Sequence, residues 1–296
     1  QVEALTVTEE AVEIRRRLGQ DSPAAYEPDL AASLCNLGNR MGEVGRRGEA
    51  LAAAEEAVEI HRRLGQDNPA AYEPDLAASL SNLGNRMGEV GRQVEALAAA
   101  EEAVEIRRRL AQDNPAAYEP DLAGSLSNLG SQLTKAGGWV EAVAAAEEAV
   151  EIYRRLGQDN PAAYELALAM SLSNLGIQLA EVGRRGEALA AAEEAVEIRR
   201  RLAQDNPVAY EPDLAASLTV FAMLLAEEGD LSVALRAAGE AVDFYHRHVA
   251  TAPSVFPQLH TVLELQADLL EGLGRKEAAE AVRHWLRENP LLPQVS

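Results

Sequence analysis

Residues 33–46 read SLCNLGNRMGEVGR and residues 79–92 read SLSNLGNRMGEVGR, one substitution apart. The NLG tripeptide of this line returns at 128–130 and 174–176, each time after a step of 46 residues. Tyr26, Tyr72, Tyr118, Tyr164 and Tyr210 keep that step, as do Gly45, Gly91, Gly137, Gly183 and Gly229. A fixed period of roughly 20–50 residues marks a repeat array. One such unit cannot bury its own apolar faces, so neighbours must stack into a continuous core.

Each unit is predicted to hold two helices. The first starts near Pro28-Asp29 and runs through LAASLCNLGNRMGEV to Gly45, with proline in the opening turn and glycine at the stop. The second runs from Arg47 to Leu64, its glutamates early and its arginines late, as the helix dipole prefers. Glu59 stands one turn before Arg63, the spacing of an i,i+4 ion pair. The stretch GQDNPAAYEPD at 65–75 carries a glycine, an Asn-Pro step and a second proline, and predicts a linker. Small residues locate the packing. Ala50, Ala54 and Ala57 form one stripe of the second helix, and it returns as Ala96/Ala100/Ala103, Ala142/Ala146/Ala149, Ala188/Ala192/Ala195 and Ala234/Ala238/Ala241. Facing it, the first helix offers Leu34, Leu37, Gly38 and Met41 at helical spacing.

The pattern Leu34-x-x-Leu37-Gly38-x-x-Met41, followed by Ala50, Ala54 and Ala57, resembles the tetratricopeptide repeat. The usual unit of that family is about 34 residues. The longer period, the long second helix and the phrase PDLAASLSNLGN are similar to its kinesin-light-chain variant, from which the extra DNPAAY departs. The resemblance covers residues 28–288 and implies an all-α fold, a right-handed superhelical solenoid of antiparallel helix hairpins. Residues 1–20 then read as the second helix of a truncated repeat, followed by repeats at 21–65, 66–111, 112–157 and 158–203. Residues 204–250 form a divergent fifth repeat, and 251–296 a degenerate capping hairpin with Trp285 as a cap residue. The opening QVEAL recurs at 93–97, so the sequence is expected to start within a repeat, as a piece of a longer protein.

On the first helix Ala32, Asn36, Asn39 and Glu43 form a second stripe, almost opposite the leucines. The resemblance places this face on the concave side of the superhelix, where the equivalent of Asn36 bonds the backbone of a bound peptide. Asn36, Asn82, Asn128 and Asn174 then make a ladder, with Asn39 and Asn85 as a second rung and Ser131 and Ile177 in that place later. An amide donates and accepts, so it pairs with a peptide unit in either sense. The other reading has the same asparagines bonding the neighbouring repeat and fixing the helix spacing. The position after the rungs holds Glu43, Glu89, Lys135, Glu181 and Glu227, and the position beside the ladder holds Cys35, Ser81, Ser127, Ser173 and Thr219. The Lys/Arg clamp with which the family grips a C-terminal carboxylate is missing. A neutral or basic peptide or partner helix is therefore expected, with Glu43, Glu89 and Glu181 among the groove residues. Tyr26 and its copies, and Trp139, are expected to pack at helix ends.

The net charge of −21 leaves no basic stripe to displace phosphate counterions, which argues against a nucleic-acid partner. Lys135 and Lys276 are the only lysines among 27 basic residues, a bias that suggests a GC-rich bacterial source. A single cysteine, Cys35, excludes an internal disulfide and suits a reducing cytoplasm. No apolar run approaches the ~18 residues of a membrane span. His246 and His248 are two residues apart and point to different faces, and the adjacent Glu55 and Glu56 do not converge. No catalytic residue, cofactor or metal is expected. The sequence reads as a cytoplasmic protein–protein interaction scaffold or sensor, and the resemblance implies attachment to a larger signalling protein. The alternatives are a self-association module and a regulatory domain that docks on an N-terminal domain of its own chain.

Overall fold

The computed structural model describes residues 2–250 and 252–291. Among them are thirteen α-helices and no strand. They are α1 (Val2–Asp21), α2 (Pro23–Glu43), α3 (Arg47–Asp67), α4 (Pro69–Glu89), α5 (Gln93–Asp113), α6 (Pro115–Lys135) and α7 (Trp139–Asp159). There follow α8 (Pro161–Glu181), α9 (Arg185–Asp205), α10 (Pro207–Glu227), α11 (Leu231–His248), α12 (Phe256–Gly272) and α13 (Lys276–Glu288). Contacts divide the chain into two compact units, Gln1–Ile152 and Tyr153–Ser296, with the boundary inside α7. In the first, each helix from α1 to α6 packs on the next; in the second the same holds from α8 to α13. Even-numbered helices also touch the next even-numbered one, α2 on α4 and α4 on α6 in the first unit, α8 on α10 and α10 on α12 in the second. Each unit is a stack of helix hairpins whose first helices lie side by side.

The expected linker at 65–75 is not a linker. Helix α3 runs on to Asp67 and α4 starts at Pro69, so Asn68 alone separates them. Ser22, Asn114, Asn160 and Asn206 do the same elsewhere, with φ from −147° to −142° and ψ from 74° to 84°. The cause is the proline that follows, which excludes the α region for the residue before it and then seeds the next helix at its own fixed φ. The second proline, at 28, 74, 120 and 212, lies inside the helix near its start. The glutamate at the position before it, present also in α8 where Leu166 replaces the proline, is held across the hairpin. Arg63 reaches Glu27 at 2.8 Å rather than pairing with Glu59, and Arg109–Glu73, Arg201–Glu165 and Arg247–Glu211 repeat the bond at 2.9–3.0 Å. The turn inside each hairpin follows the expectation. Gly45, Gly91, Gly137, Gly183, Gly229 and Gly274 have φ between 74° and 88°, the left-handed conformation that closes a helix at lowest cost in glycine.

The alanine stripe is the core of each hairpin. Ala50, Ala57, Ala96, Ala103, Ala188, Ala195, Ala234 and Ala241 are fully buried. A Cβ on Gly38 would stand 3.1 Å from the Ala50 carbonyl oxygen, on Gly84 3.0 Å from that of Ala96, and on Gly176 3.1 Å from that of Ala188. The helices approach so closely there that any side chain would press on the facing backbone. Among the described residues, α10 is the one helix that by length and composition could cross a membrane. Its Leu214, Ala215, Leu218, Ala222 and Leu225 lie in the core of the second unit, and packing accounts for their apolarity.

A buried polar seam joins successive repeats. Arg15 donates to Ser33, Arg107 to Ser125 and Arg199 to Ser217, each from a second helix to the first helix that follows. His61 shares a 2.7 Å bond with Ser79 in the same place. Three of those serines in turn meet a hydroxyl or thiol on the preceding first helix: Cys35 with Ser79 at 3.2 Å, Ser81 with Ser125 at 3.4 Å and Ser173 with Ser217 at 3.1 Å. The second-helix position reads Arg15, His61, Arg107, Tyr153, Arg199, Tyr245, so arginine alternates with a neutral ring. In the second unit burial pushes the Tyr245 hydroxyl up to about 12, against a weaker opposing pull from Thr219 and the Arg199 charge. Two successive arginines here would bring like charges together away from water.

The outermost helices differ. Helix α1 buries Leu5 and Val12 but exposes Val7, Ile14 and Leu18, while their counterparts Ala53, Ile60 and Leu64 are buried. Helix α13 presents ion pairs instead, Arg283 with Asp268 and Glu271, and Arg287 with Glu280. Its Trp285 packs on Phe256, His260 and His246 at centroid distances of 5.8–6.4 Å.

Candidate functional site

The candidate surface is the outward stripe of the first helices. On α2 it consists of Ala32, Asn36, Asn39 and Glu43, of which only Asn39 is half-buried and the rest are exposed. On α4 Asn82 and Asn85 are half-buried and Glu89 exposed; on α6 Asn128 is half-buried. On α8 Met170, Asn174, Ile177 and Glu181 are all exposed. The stripe exists because i, i+4, i+7 and i+11 share one side of a helix, and the leucine–glycine stripe takes the opposite side into the core.

The asparagines do not all behave alike. Among the described residues, none bonds the amides of Asn36, Asn128 or Asn174. Asn36 lines a cleft between α1 and α2 with Val7, Thr8, Ala11, Arg15, Ser33 and Arg40. Asn82 lies beside the Cys35 thiol, and Asn85 accepts a 3.4 Å bond from Gln132 of the next repeat. The position beside the ladder, taken as part of the groove from sequence, belongs to the seam. Ser81 and Ser173 are buried, and Cys35 is half-buried against Ser79. Burial pushes the Cys35 thiol above its usual range despite the opposing pull of Ser79 and Asn82, so it carries no nucleophilic thiolate.

The charges of the stripe differ between the units. Glu43 is paired by Arg40 at 3.3 Å and Glu89 by Arg86 at 2.9 Å, each from three residues before. That arginine position holds Gln178 on α8 and Leu224 on α10. Among the described residues, Glu181 and Glu227 have no ion-pair partner. Arg86 fits because Gly42 lies opposite: a Cβ there would collide with its guanidinium. Gln132 stands against Gly88 in the same way. His246 and His248 do not converge. His246 packs edge-on against Trp285, and His248 bonds Glu211 at 2.8 Å. The described residues hold no cluster of His, Cys, Asp or Glu able to bind a metal.

A profile of the tetratricopeptide repeat matches residues 30–70, 76–116, 122–161 and 168–208, more than half of the chain. The chain belongs to the tetratricopeptide repeat family. The solved structure of BtubC (BKLC) from P. vanneervenii superposes with a TM-score of 0.62 at 21% identity, covering 83% of this chain and 93% of that one. A putative kinesin light chain from Podosopora anserina, with nearly identical TPR-like repeats, gives 0.57 at 20% identity, covering 75% and 99%. At such identities the likeness shows the fold alone. No curated protein matches the chain in sequence. A tetratricopeptide repeat array is a protein–protein interaction scaffold, which is the coarse reading the sequence gives. The residues that sequence reasoning passed over are Met170 and Met223, which with Ile177 break the polar character of the stripe. Their signal was there to find, as departures from the residues at the same position in the first three repeats.

Proposed function

We propose that the first-helix stripes receive a segment of a partner protein, neutral or basic in charge, with the asparagine amides pairing to its backbone. The observation that carries this is the state of Asn36 and Asn174: exposed, repeated in register, and bonded by nothing among the described residues. A polar side chain kept at a fixed surface position needs no folding role to sit there, and its free donor and acceptor suit a peptide unit. The test is affinity capture with the wild-type chain and with a variant carrying Asn36→Ala, Asn82→Ala, Asn128→Ala and Asn174→Ala, both shown folded by circular dichroism. Capture of one protein by the first and not the second supports the ladder; capture of the same set by both removes it.

A second reading, self-association, is favoured by α1, whose Val7 is 65% exposed with Ile14 and Leu18 on the same side. A helix of another copy would bury this stripe. Sedimentation over a wide concentration range decides it: a mass that rises with concentration and is reset by Ile14→Lys supports it, and a constant monomer mass ends it.

A further inference from the structure

The stripe changes character in the second unit. Met170 is 52% exposed, Ile177 40% and Met223 37%, and Val220 is half-buried between them in position. These four lie on α8 and α10, adjacent first helices in direct contact. The same positions on α2 and α4 hold Ala32, Asn36, Asn39, Ala78, Asn82 and Asn85. At the C-terminal ends of α8 and α10 stand Glu181 and Glu227, exposed and unpaired among the described residues. The first unit neutralises its glutamates at this position with Arg40 and Arg86, and the second unit has given up both arginines.

Exposed large apolar side chains are individually ordinary, but these occupy one stripe that is otherwise polar, and they coincide with the loss of the neutralising cations. Two unpaired carboxylates at the edge of an apolar patch repel an acidic segment and attract a basic one. Methionine is suited to such a surface because its unbranched, polarisable side chain adapts to the shape of what it receives.

We infer that the α8–α10 face is the anchor site for an amphipathic basic segment, seating aliphatic or aromatic side chains on Met170, Ile177 and Met223 and a lysine or arginine against Glu181 and Glu227. This deepens the proposed function and rests on its reading of the first-helix stripe as the recognition surface. The α8–α10 face then selects its segment by apolar contact and charge, where a polar stripe would pair only with its backbone.

The probe is a synthetic amphipathic leucine–lysine peptide, with its leucine–glutamate counterpart as the control, followed by fluorescence anisotropy. The chain has four methionines, of which Met41 and Met87 are buried in the first unit and Met170 and Met223 exposed in the second, so methyl NMR locates the binding directly. The lysine peptide shifts the Met170 and Met223 methyl signals and leaves Met41 and Met87 in place, while the glutamate peptide shifts none. Met170→Ser with Ile177→Ser weakens binding at least about tenfold, the worth of one lost apolar anchor. Glu181→Lys with Glu227→Lys weakens it likewise, whereas Glu101→Lys with Glu193→Lys, the same change of net charge at exposed second-helix positions, leaves it within about twofold. Equal loss in both charge variants means general attraction to an acidic protein and overturns the inference. So does unchanged binding after the α8–α10 substitutions, or no binding of the lysine peptide at all. If the asparagine variant alone abolishes binding, the ladder stands without this anchor; if the α8–α10 variants alone abolish it, the anchor stands and the ladder fails.

Discussion

Helices α4 and α8 fill the same place in their repeats, each 21 residues from a proline to a glutamate. Inward they are alike. Leu80 matches Leu172, Gly84 matches Gly176, and Ser79 and Ser171 are both buried. Outward they are not: Ala78, Asn85 and the ion-paired Glu89 give way to Met170, Ile177 and Glu181, unpaired among the described residues. Packing against two neighbours fixes the inward columns, since a change there is felt by both. The outward column is tied to the fold more loosely, through single contacts such as Gln132 with Asn85, so what differs there between repeats is freer to encode a ligand.

The comparison can be broken at its inward half first. Gly84→Leu and Gly176→Leu each force a side chain against a backbone carbonyl about 3 Å away, and each is expected to cost ~1–3 kcal/mol in urea titration. Equal losses support a common frame, and a clear difference between the two breaks it. Next comes the seam. His61→Arg sets a third guanidinium between Arg15 and Arg107, and a loss of ~1–3 kcal/mol is expected, whereas His61→Tyr copies the arrangement of Tyr153 and Tyr245 and stays within ~1 kcal/mol.

A smaller effect follows from the same histidine. Burial holds its pKa below the ordinary 6.5. Above that pH it is neutral both folded and unfolded and has no effect on stability. As pH falls below 6.5 the unfolded chain binds the proton first, so stability drops until the lower folded value is reached. Wild type minus His61→Tyr, measured by denaturation across this range, isolates the contribution; a flat difference refutes it. The smallest effect belongs to the surface ion pairs between second helices, Arg62–Glu102 in the first unit and Arg154–Glu194 in the second, both near 2.7 Å and about half exposed. Double-mutant cycles should return below ~1 kcal/mol for each, and less in high salt.

The period, the alanine stripe and the glycine turns were legible in the sequence because each depends on residues a few positions apart. The one-residue breaks were not, since proline reads as a stop and Asn68 with Pro69 needs only one extended residue to pass from one helix to the next. The seam was missed for a different reason. Ser81 and Asn82 are one residue apart on the helix, and nothing in a single repeat says which of them meets the neighbouring one. That neighbour buries Ser81 and leaves Asn82 partly open. The α8–α10 face was half visible: Ile177 stood out as a replacement for asparagine, but its link to the lost arginines needed Glu43 and Glu89 seen in their ion pairs.

The alternation of arginine with a neutral ring gives the array a parity. Removing one repeat between Arg15 and Tyr245 would bring two neutral rings or two arginines into succession, while removing two restores the order. Such a protein can lengthen or shorten cheaply only by pairs. Relatives of different length are then expected to differ by even numbers of hairpins.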